Sequence, residues 1–256
     1  MKHILLVLLL PLFLAACNSG LIRDEEDPNT GNLGKTQNYN SAADTYVKLA
    51  YEYMRQGDFR TALSKAKQAV ARDSRNGNAH LVLALIYEML GESGPANAAY
   101  QRAMEVDDRN PYILNAYGAY LCKLNEYSRA APLFDKALQN PLYETPWVAL
   151  ANAGYCARKG GDATRAESYL LRALERNPGY PMALFQMAQL RYEQGKYMST
   201  RAYLQRYREV AKPTAQMLYL SILTEQKLEN PDQARSDELL LKSEFPDSEQ
   251  AQKLGY

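Results

Sequence analysis

Small apolar residues recur along the chain at a fixed interval. Ala62, Ala96, Ala130, Ala166 and Ala234, with Thr200 completing the series, are separated by 34, 34, 36, 34 and 34 residues. A second register runs through Ala69, Ala103, Ala137 and Ala173, and a third through Ala50, Ala84, Gly118, Gly154 and Ala188. Turn signals recur in phase with them: Gln56-Gly57-Asp58-Phe59, Leu90-Gly91-Glu92, Asn125-Glu126-Tyr127, Gly160-Gly161-Asp162 and Gln194-Gly195-Lys196-Tyr197. Each unit therefore predicts an apolar-periodic helix, a tight turn and a second apolar-periodic helix. Units of this length cannot bury their hydrophobic faces alone and must stack. The expected fold is all-α, a superhelical solenoid of six helix-turn-helix repeats with about 12–13 helices. The repeats fall at 43–76, 77–110, 111–144, 147–180, 181–214 and 215–248, with Thr145 and Pro146 inserted between the third and fourth.

The three registers resemble the tetratricopeptide repeat, and the likeness covers residues 43–248. Small residues at the eighth and twentieth positions let the two helices of a hairpin approach closely, and Ala at the twenty-seventh admits the next repeat. Tyr53 and Tyr87 fill space between helices, which accounts for part of the excess of 20 tyrosines over one tryptophan. The fifth repeat departs from the pattern at Thr200 and Tyr207, and the sixth at Ile222, Glu225, Glu229 and Leu241. Terminal repeats are commonly atypical because one face meets solvent. Residues 249–256 form a cap or tail, in which Asp247-Ser248-Glu249 followed by Ala251 and Leu254 is suited to starting a short capping helix.

Ahead of the repeats, Met1-Lys2-His3 precedes a run from Ile4 to Leu14 that is apolar throughout, broken only by Pro11. Eleven residues make a helix of about 16 Å, too short for a bilayer of about 30 Å, so residues 1–16 read as a secretory signal. Leu14-Ala15-Ala16-Cys17 resembles a bacterial lipobox, which implies cleavage before Cys17 and lipidation of its sulfur and amine. Asn18 in place of an aspartate implies sorting to the outer membrane. Residues 17–42 are the lipidated Cys and a polar tether, with Leu21, Ile22 and Leu33 as its only aliphatics before Ser41. Such a segment cannot bury enough surface to offset its ordering entropy. Gly31-Asn-Leu-Gly34-Lys35-Thr36 is too short between its glycines for a phosphate loop.

Composition narrows the function. Removal of residues 1–16 leaves 29 basic and 29 acidic side chains in 240 residues, without the basic field that nucleic-acid binding needs. His80 is the one histidine beyond the signal, at a packing position of the second repeat. There is no H-E-x-x-H, no G-x-S-x-G and no Cys pair at zinc spacing. No enzyme, metal or cofactor is expected. Cys122 and Cys156 fall on the first helices of adjacent repeats. In an oxidising compartment they either form a disulfide, which requires Cα atoms within about 7 Å, or pack as two small thiols.

What remains is a surface. The repeat's inner wall is built from positions two, five, nine, twelve and thirteen of each first helix. Here those positions are rich in Met, Leu and Tyr, and exposed apolar surface commonly marks binding; the other reading is that these side chains bury one another. The N-terminal half is the more apolar. It is expected to grip a partner through Tyr51, Met54, Leu81, Leu85, Met89 and Tyr112, whereas later repeats mix in Lys123, Arg158, Lys159, Gln189 and Lys227. The ninth positions Tyr51, Leu85 and Ala119 lack the polar clamp that recognises a charged C-terminal tail.

The lipobox, tether and six repeats resemble the type IV pilus biogenesis lipoproteins known as pilotins (the PilF/PilW family). The likeness is carried by Tyr46-Val-Lys-Leu-Ala-Tyr-Glu-Tyr-Met-Arg-Gln-Gly-Asp-Phe59, Asn115-Ala-Tyr-Gly-Ala-Tyr-Leu-Cys122 and Asn152-Ala-Gly-Tyr-Cys156. The resemblance implies a monomer anchored by lipid in the outer membrane, facing the periplasm. It would be delivered by the lipoprotein-sorting machinery and would bring type IV pilus secretin subunits there to multimerise. Another periplasmic scaffold lipoprotein, serving β-barrel assembly or a cell-wall enzyme, is the alternative.

Overall fold

The computed structural model describes residues 41–255. The signal at 1–16, the lipidation candidate Cys17 and the tether up to residue 40 lie outside the described residues. Twelve helices follow in pairs: α1 (Ala42–Arg55) with α2 (Phe59–Arg72), α3 (Gly77–Met89) with α4 (Ser93–Val106), α5 (Pro111–Lys123) with α6 (Tyr127–Leu138), α7 (Pro146–Lys159) with α8 (Ala163–Arg176), α9 (Pro181–Glu193) with α10 (Tyr197–Val210), and α11 (Ala215–Lys227) with α12 (Pro231–Glu244). A short α13 (Glu249–Lys253) packs on α11 and α12. The fold is a tetratricopeptide superhelix of about six repeats.

Local chemistry starts and stops these helices. Ser41 and Asp44 form a capping box on α1, and Asp58, Asn76, Asn110, Asp162 and Thr214 cap later helices through their side chains. Pro111, Pro146, Pro181 and Pro231 stand in the first turn, where the missing N–H costs nothing. Each hairpin turns through one residue of positive φ: Gly57, Gly91, Asn125, Gly161, Gly195 and Glu229. Glycine suits that conformation, Asn tolerates it, and Glu229 is the exception.

The small registers are contact points. Ala62, Ala96, Ala130 and Ala166 are fully buried, as are Ala69, Ala103, Ala137 and Ala173. At Gly118 an added Cβ would lie 2.9 Å from Phe134 Cε1, and at Gly154 only 2.6 Å from Leu170 Cγ. Glycine stands there because the partner helix brings a large side chain. Thr200 takes its alanine's place by turning its hydroxyl back onto the Lys196 carbonyl at 3.2 Å. Tyr207, in the other alanine register, is buried beside Phe185 with ring centroids 6.2 Å apart.

The first repeat is built to be an end. Positions three, six and ten are buried Ala79, Val82 and Ile86 in the second repeat and buried Ile113, Ala116 and Tyr120 in the third. In the first they are Thr45, Lys48 and Glu52, none of them buried. Just before the inserted Thr145 and Pro146, Tyr143 is buried with Leu114, Ala137 and Ala149 and meets Tyr112 edge-on at 5.1 Å. Burial pushes the Tyr143 phenol well above its ordinary range.

Candidate functional site: the inner wall of the superhelix

Walking the wall from repeat one to repeat six shows a change in accessibility. Position five is Val47, Leu81, Asn115 and Ala151, all buried, and then Phe185 and Tyr219, both half-exposed. Position nine is buried as Tyr51 and Leu85, then half-exposed as Ala119, Tyr155, Gln189 and Leu223. The wall is closed at its N-terminal end; it opens at position nine from α5 onward and at position five only from α9 onward.

This corrects the site expected from the sequence. Tyr51 (6% exposed), Met54 (4%), Leu81 (0%) and Leu85 (4%) belong to the hydrophobic core and offer a partner almost nothing. The reason is mutual burial, since α1 and α3 lie side by side and bulky residues at positions five and nine close over one another. Met89 is exposed and Tyr112 half-exposed, so two of the six expected contacts reach the surface. Cys122 and Cys156 are joined as a disulfide with Cα atoms 5.6 Å apart, within the limit of about 7 Å. His80 is buried, and its Nε2–H donates to the Ser74 carbonyl at 3.0 Å, a packing role.

The polar groups of the wall are organised around two charges. Glu88 accepts the Tyr100 hydroxyl at 2.8 Å and Lys123 Nζ at 2.7 Å, which ties repeats two and three. Tyr100 in turn stacks on Tyr117 and lies tilted against Tyr120. Arg158 is only 9% exposed at its side chain. It pairs with Glu193, donates to Gln186 at 3.1 Å and to Gln189 at 2.9 Å, and lies 5.8 Å over the Tyr155 ring. Lys159 and Lys227 are exposed on the same rim. Burial raises the Tyr192 phenol, with Tyr197 and Tyr219 adding to the shift. Among the described residues, no group of three metal-ligating side chains comes together.

Sequence reasoning missed a set of charges on the seams between later repeats. Arg191 grips Glu167 through two nitrogens, at 3.0 and 2.6 Å. Arg201 grips Glu225 in the same bidentate way, with one bond at 2.8 Å. Arg208 holds Asp237 at 2.8 Å. The Glu225 and Asp237 side chains are buried, 3% and 2% exposed. The arrangement suits protein recognition by an accessible aromatic wall, backed by seams whose charges are already satisfied.

Comparison with known proteins places this geometry. The sequence profile of the tetratricopeptide repeat matches residues 47–103 and 123–181. The crystal structure of PilW, a widely conserved type IV pilus biogenesis factor, is 33% identical with a TM-score of 0.78, over 85% of this chain and 100% of that one. The structure of Pseudomonas aeruginosa PilF is 28% identical with a TM-score of 0.73, covering 84% of this chain and 96% of that one. In sequence, the type IV pilus assembly protein PilF of Pseudomonas aeruginosa is 27% identical over 243 residues, 95% of this chain and 94% of the relative. The chain belongs to the PilF/PilW family of tetratricopeptide-repeat proteins of type IV pilus biogenesis.

Proposed function

We propose that this protein is a pilotin: an outer-membrane lipoprotein, anchored through Cys17 and facing the periplasm, that binds type IV pilus secretin subunits and promotes their localisation and multimerisation. The family supports a role in pilus biogenesis as a non-enzymatic scaffold. The observation that carries the binding role is the open inner wall of repeats four to six, where Tyr155, Phe185, Tyr192, Tyr219 and Leu223 are all accessible. Large half-exposed aromatic and aliphatic groups on a concave surface are the usual material of a peptide-binding groove. The lipid supplies the address: two or three acyl chains at about 0.8 kcal/mol per buried CH₂ hold a protein at a membrane effectively permanently.

Deletion of the protein should abolish heat-resistant secretin multimers in the outer membrane, and the wild-type chain should restore them. Cys17→Ala should leave a folded protein that no longer fractionates with that membrane and fails to restore multimers. Normal secretin assembly in the deletion strain would overturn the reading, and normal assembly with Cys17→Ala would overturn the lipid's part in it.

A further inference from the structure

The last turn of the open wall holds a recess of about 240 Å³ between α9, α11 and the terminal α13. It is lined by Tyr192, Tyr219, Leu220 and Leu223 and by three carboxamides, Gln189, Gln216 and Gln250, one from each helix. Its size is below the roughly 300–1,000 Å³ of a cofactor or drug-sized site and suits a single large side chain. The one ionised group of the lining, Glu193, is already paired with Arg158. The recess therefore presents aromatic and aliphatic surface within a ring of neutral donors and acceptors, with no unmet charge to satisfy an ionised side chain or chain terminus. A carboxamide offers both a donor and an acceptor, as a peptide unit does. The larger recess, about 420 Å³ between α10, α11 and α12, is of another kind, because its Arg201 and Arg208 are engaged by Glu225 and Asp237 and it has no aromatic lining.

Resting on the reading of the wall as the secretin-binding surface, we propose that this recess is its anchoring pocket. It takes one aromatic or large aliphatic side chain from an uncharged, extended stretch of the secretin, whose flanking peptide groups pair with Gln216, Gln250 and the side-chain amide N–H of Gln189, the Gln189 oxygen being engaged by Arg158. The short α13 is then part of the site as well as an end cap, since Gln250 on its first turn completes the lining. Met89, exposed at the other end of the wall, lies outside the pocket.

The test uses the full chain, purified secretin, and synthetic 15-residue peptides tiling the secretin's periplasmic sequence. Gln216 is exposed, so Gln216→Trp blocks the mouth without entering the core. Leu223→Trp fills the recess, and a thermal melt of each variant checks the fold. We expect one uncharged peptide with a single large apolar side chain to compete with the secretin. Its affinity should fall at least tenfold in Gln216→Trp and stay unchanged in Met89→Ala. Secretin binding at wild-type affinity in both tryptophan variants would overturn the pocket while leaving the pilotin reading intact. Failure of the unmodified chain to bind secretin at all would overturn both.

Discussion

At the seam between the first two repeats, positions 21 and 28 of one and seven and eleven of the next are Leu63, Val70, Leu83 and Tyr87, all packed against the hydrophobic core. At the seam between the last two, the same positions are Arg201, Arg208, Ser221 and Glu225. One backbone period thus carries two kinds of joint. The charged joints also alternate in sign. Position 21 of repeat four is Glu167 and position eleven of repeat five is Arg191; one seam later the same pair is Arg201 and Glu225. An apolar joint accepts any neighbour of suitable shape, whereas these accept one order only. The first helix of repeat six, docked against repeat four, would set Glu225 against Glu167. Like charges across a partly buried seam are unfavourable, so the exchange favours this order of the C-terminal repeats.

The sharpest way to break this contrast is to remove one arginine. Arg201→Leu leaves Glu225 buried without its counter-charge, with only the Asn230 amide still donating to it at 2.9 Å, and should cost about 3 kcal/mol. The double variant Arg201→Leu/Glu225→Leu should recover most of that loss, because a buried ion pair is often no better than well-packed apolar groups. Denaturant melts of both, beside the wild type, decide. A single variant within 1 kcal/mol of wild type would show that the pair does not hold the seam.

The second test lies where the two halves meet. The disulfide from Cys122 to Cys156 closes a separation of 34 residues, for which the loop-closure estimate is about 3–4 kcal/mol. Cys122→Ser should lower stability by roughly 3 kcal/mol, and reductant should do the same to the wild type but not to the variant. Hydrogen exchange should then report the protection of repeats one to three and of repeats four to six separately. Loss confined to one half would make the bridge a local staple and not a brace between them.

How far the sequence anticipates this contrast differs between fold and site. The three small registers and the phased turns announce a helical repeat, because close helix approach tolerates little but Ala, Gly or an inward-bonded Thr at those positions. The wall was harder to read. Tyr51, Met54, Leu81 and Leu85 sit at wall positions, but their availability depends on how closely α1 and α3 approach, which no single-residue pattern encodes. The seam charges were legible in principle: Glu167 with Arg191 and Arg201 with Glu225 are the same two register positions with exchanged signs. Scattered over helix faces they pass for solvated residues, and only alignment of the repeats brings them together.

A third, smaller effect tests the packing common to both halves. Gly154→Ala would put a methyl group 2.6 Å from Leu170 Cγ, and Gly118→Ala one 2.9 Å from the edge of Phe134. Alanine favours a helix by about 1 kcal/mol over glycine, but overpacking costs about 1–3 kcal/mol. Gly154→Ala should therefore destabilise by up to about 2 kcal/mol and Gly118→Ala by less, since a ring edge shifts more readily than a branch carbon. A stabilised Gly154→Ala would mean that the helices of repeat four can part freely.

Acid separates the halves more gently. The hydrogen bonds from Arg191 hold the Glu167 carboxyl below its ordinary range, against a smaller opposing push from burial. A carboxyl whose folded value is depressed contributes fully above its unfolded value, about 4.3, and the contribution fades as pH falls through the folded value. Glu167 is a third exposed, so solvent screening keeps the effect modest. Amide protection at the seam of repeats four and five should weaken over that acid window while the apolar seam of repeats one and two holds, apart from the α2 N-terminus, where the Thr61 amide keeps the Asp58 carboxyl low. Glu167→Gln should remove the slope, and an unchanged slope would assign it to other carboxylates.

The smallest effect separates the hairpin turns. Five of the six positive-φ turn positions are Gly or Asn; the sixth, Glu229, is held at φ 53° in the last repeat. A residue with a Cβ pays about 1–2 kcal/mol for that conformation, while glycine gives back about 0.5–1 kcal/mol through the freedom of its unfolded chain. Glu229 is exposed, so little contact is lost on truncation. Glu229→Gly should therefore raise stability by about 0.5–1 kcal/mol, whereas Gly195→Glu, the same exchange one repeat earlier, should lower it by a similar amount. Paired melts of the two variants measure one backbone penalty in both directions. A destabilised Glu229→Gly would mean that the Glu229 side chain stabilises its turn by more than the strain it carries, and that the last repeat departs from the pattern for a reason other than sitting at the end.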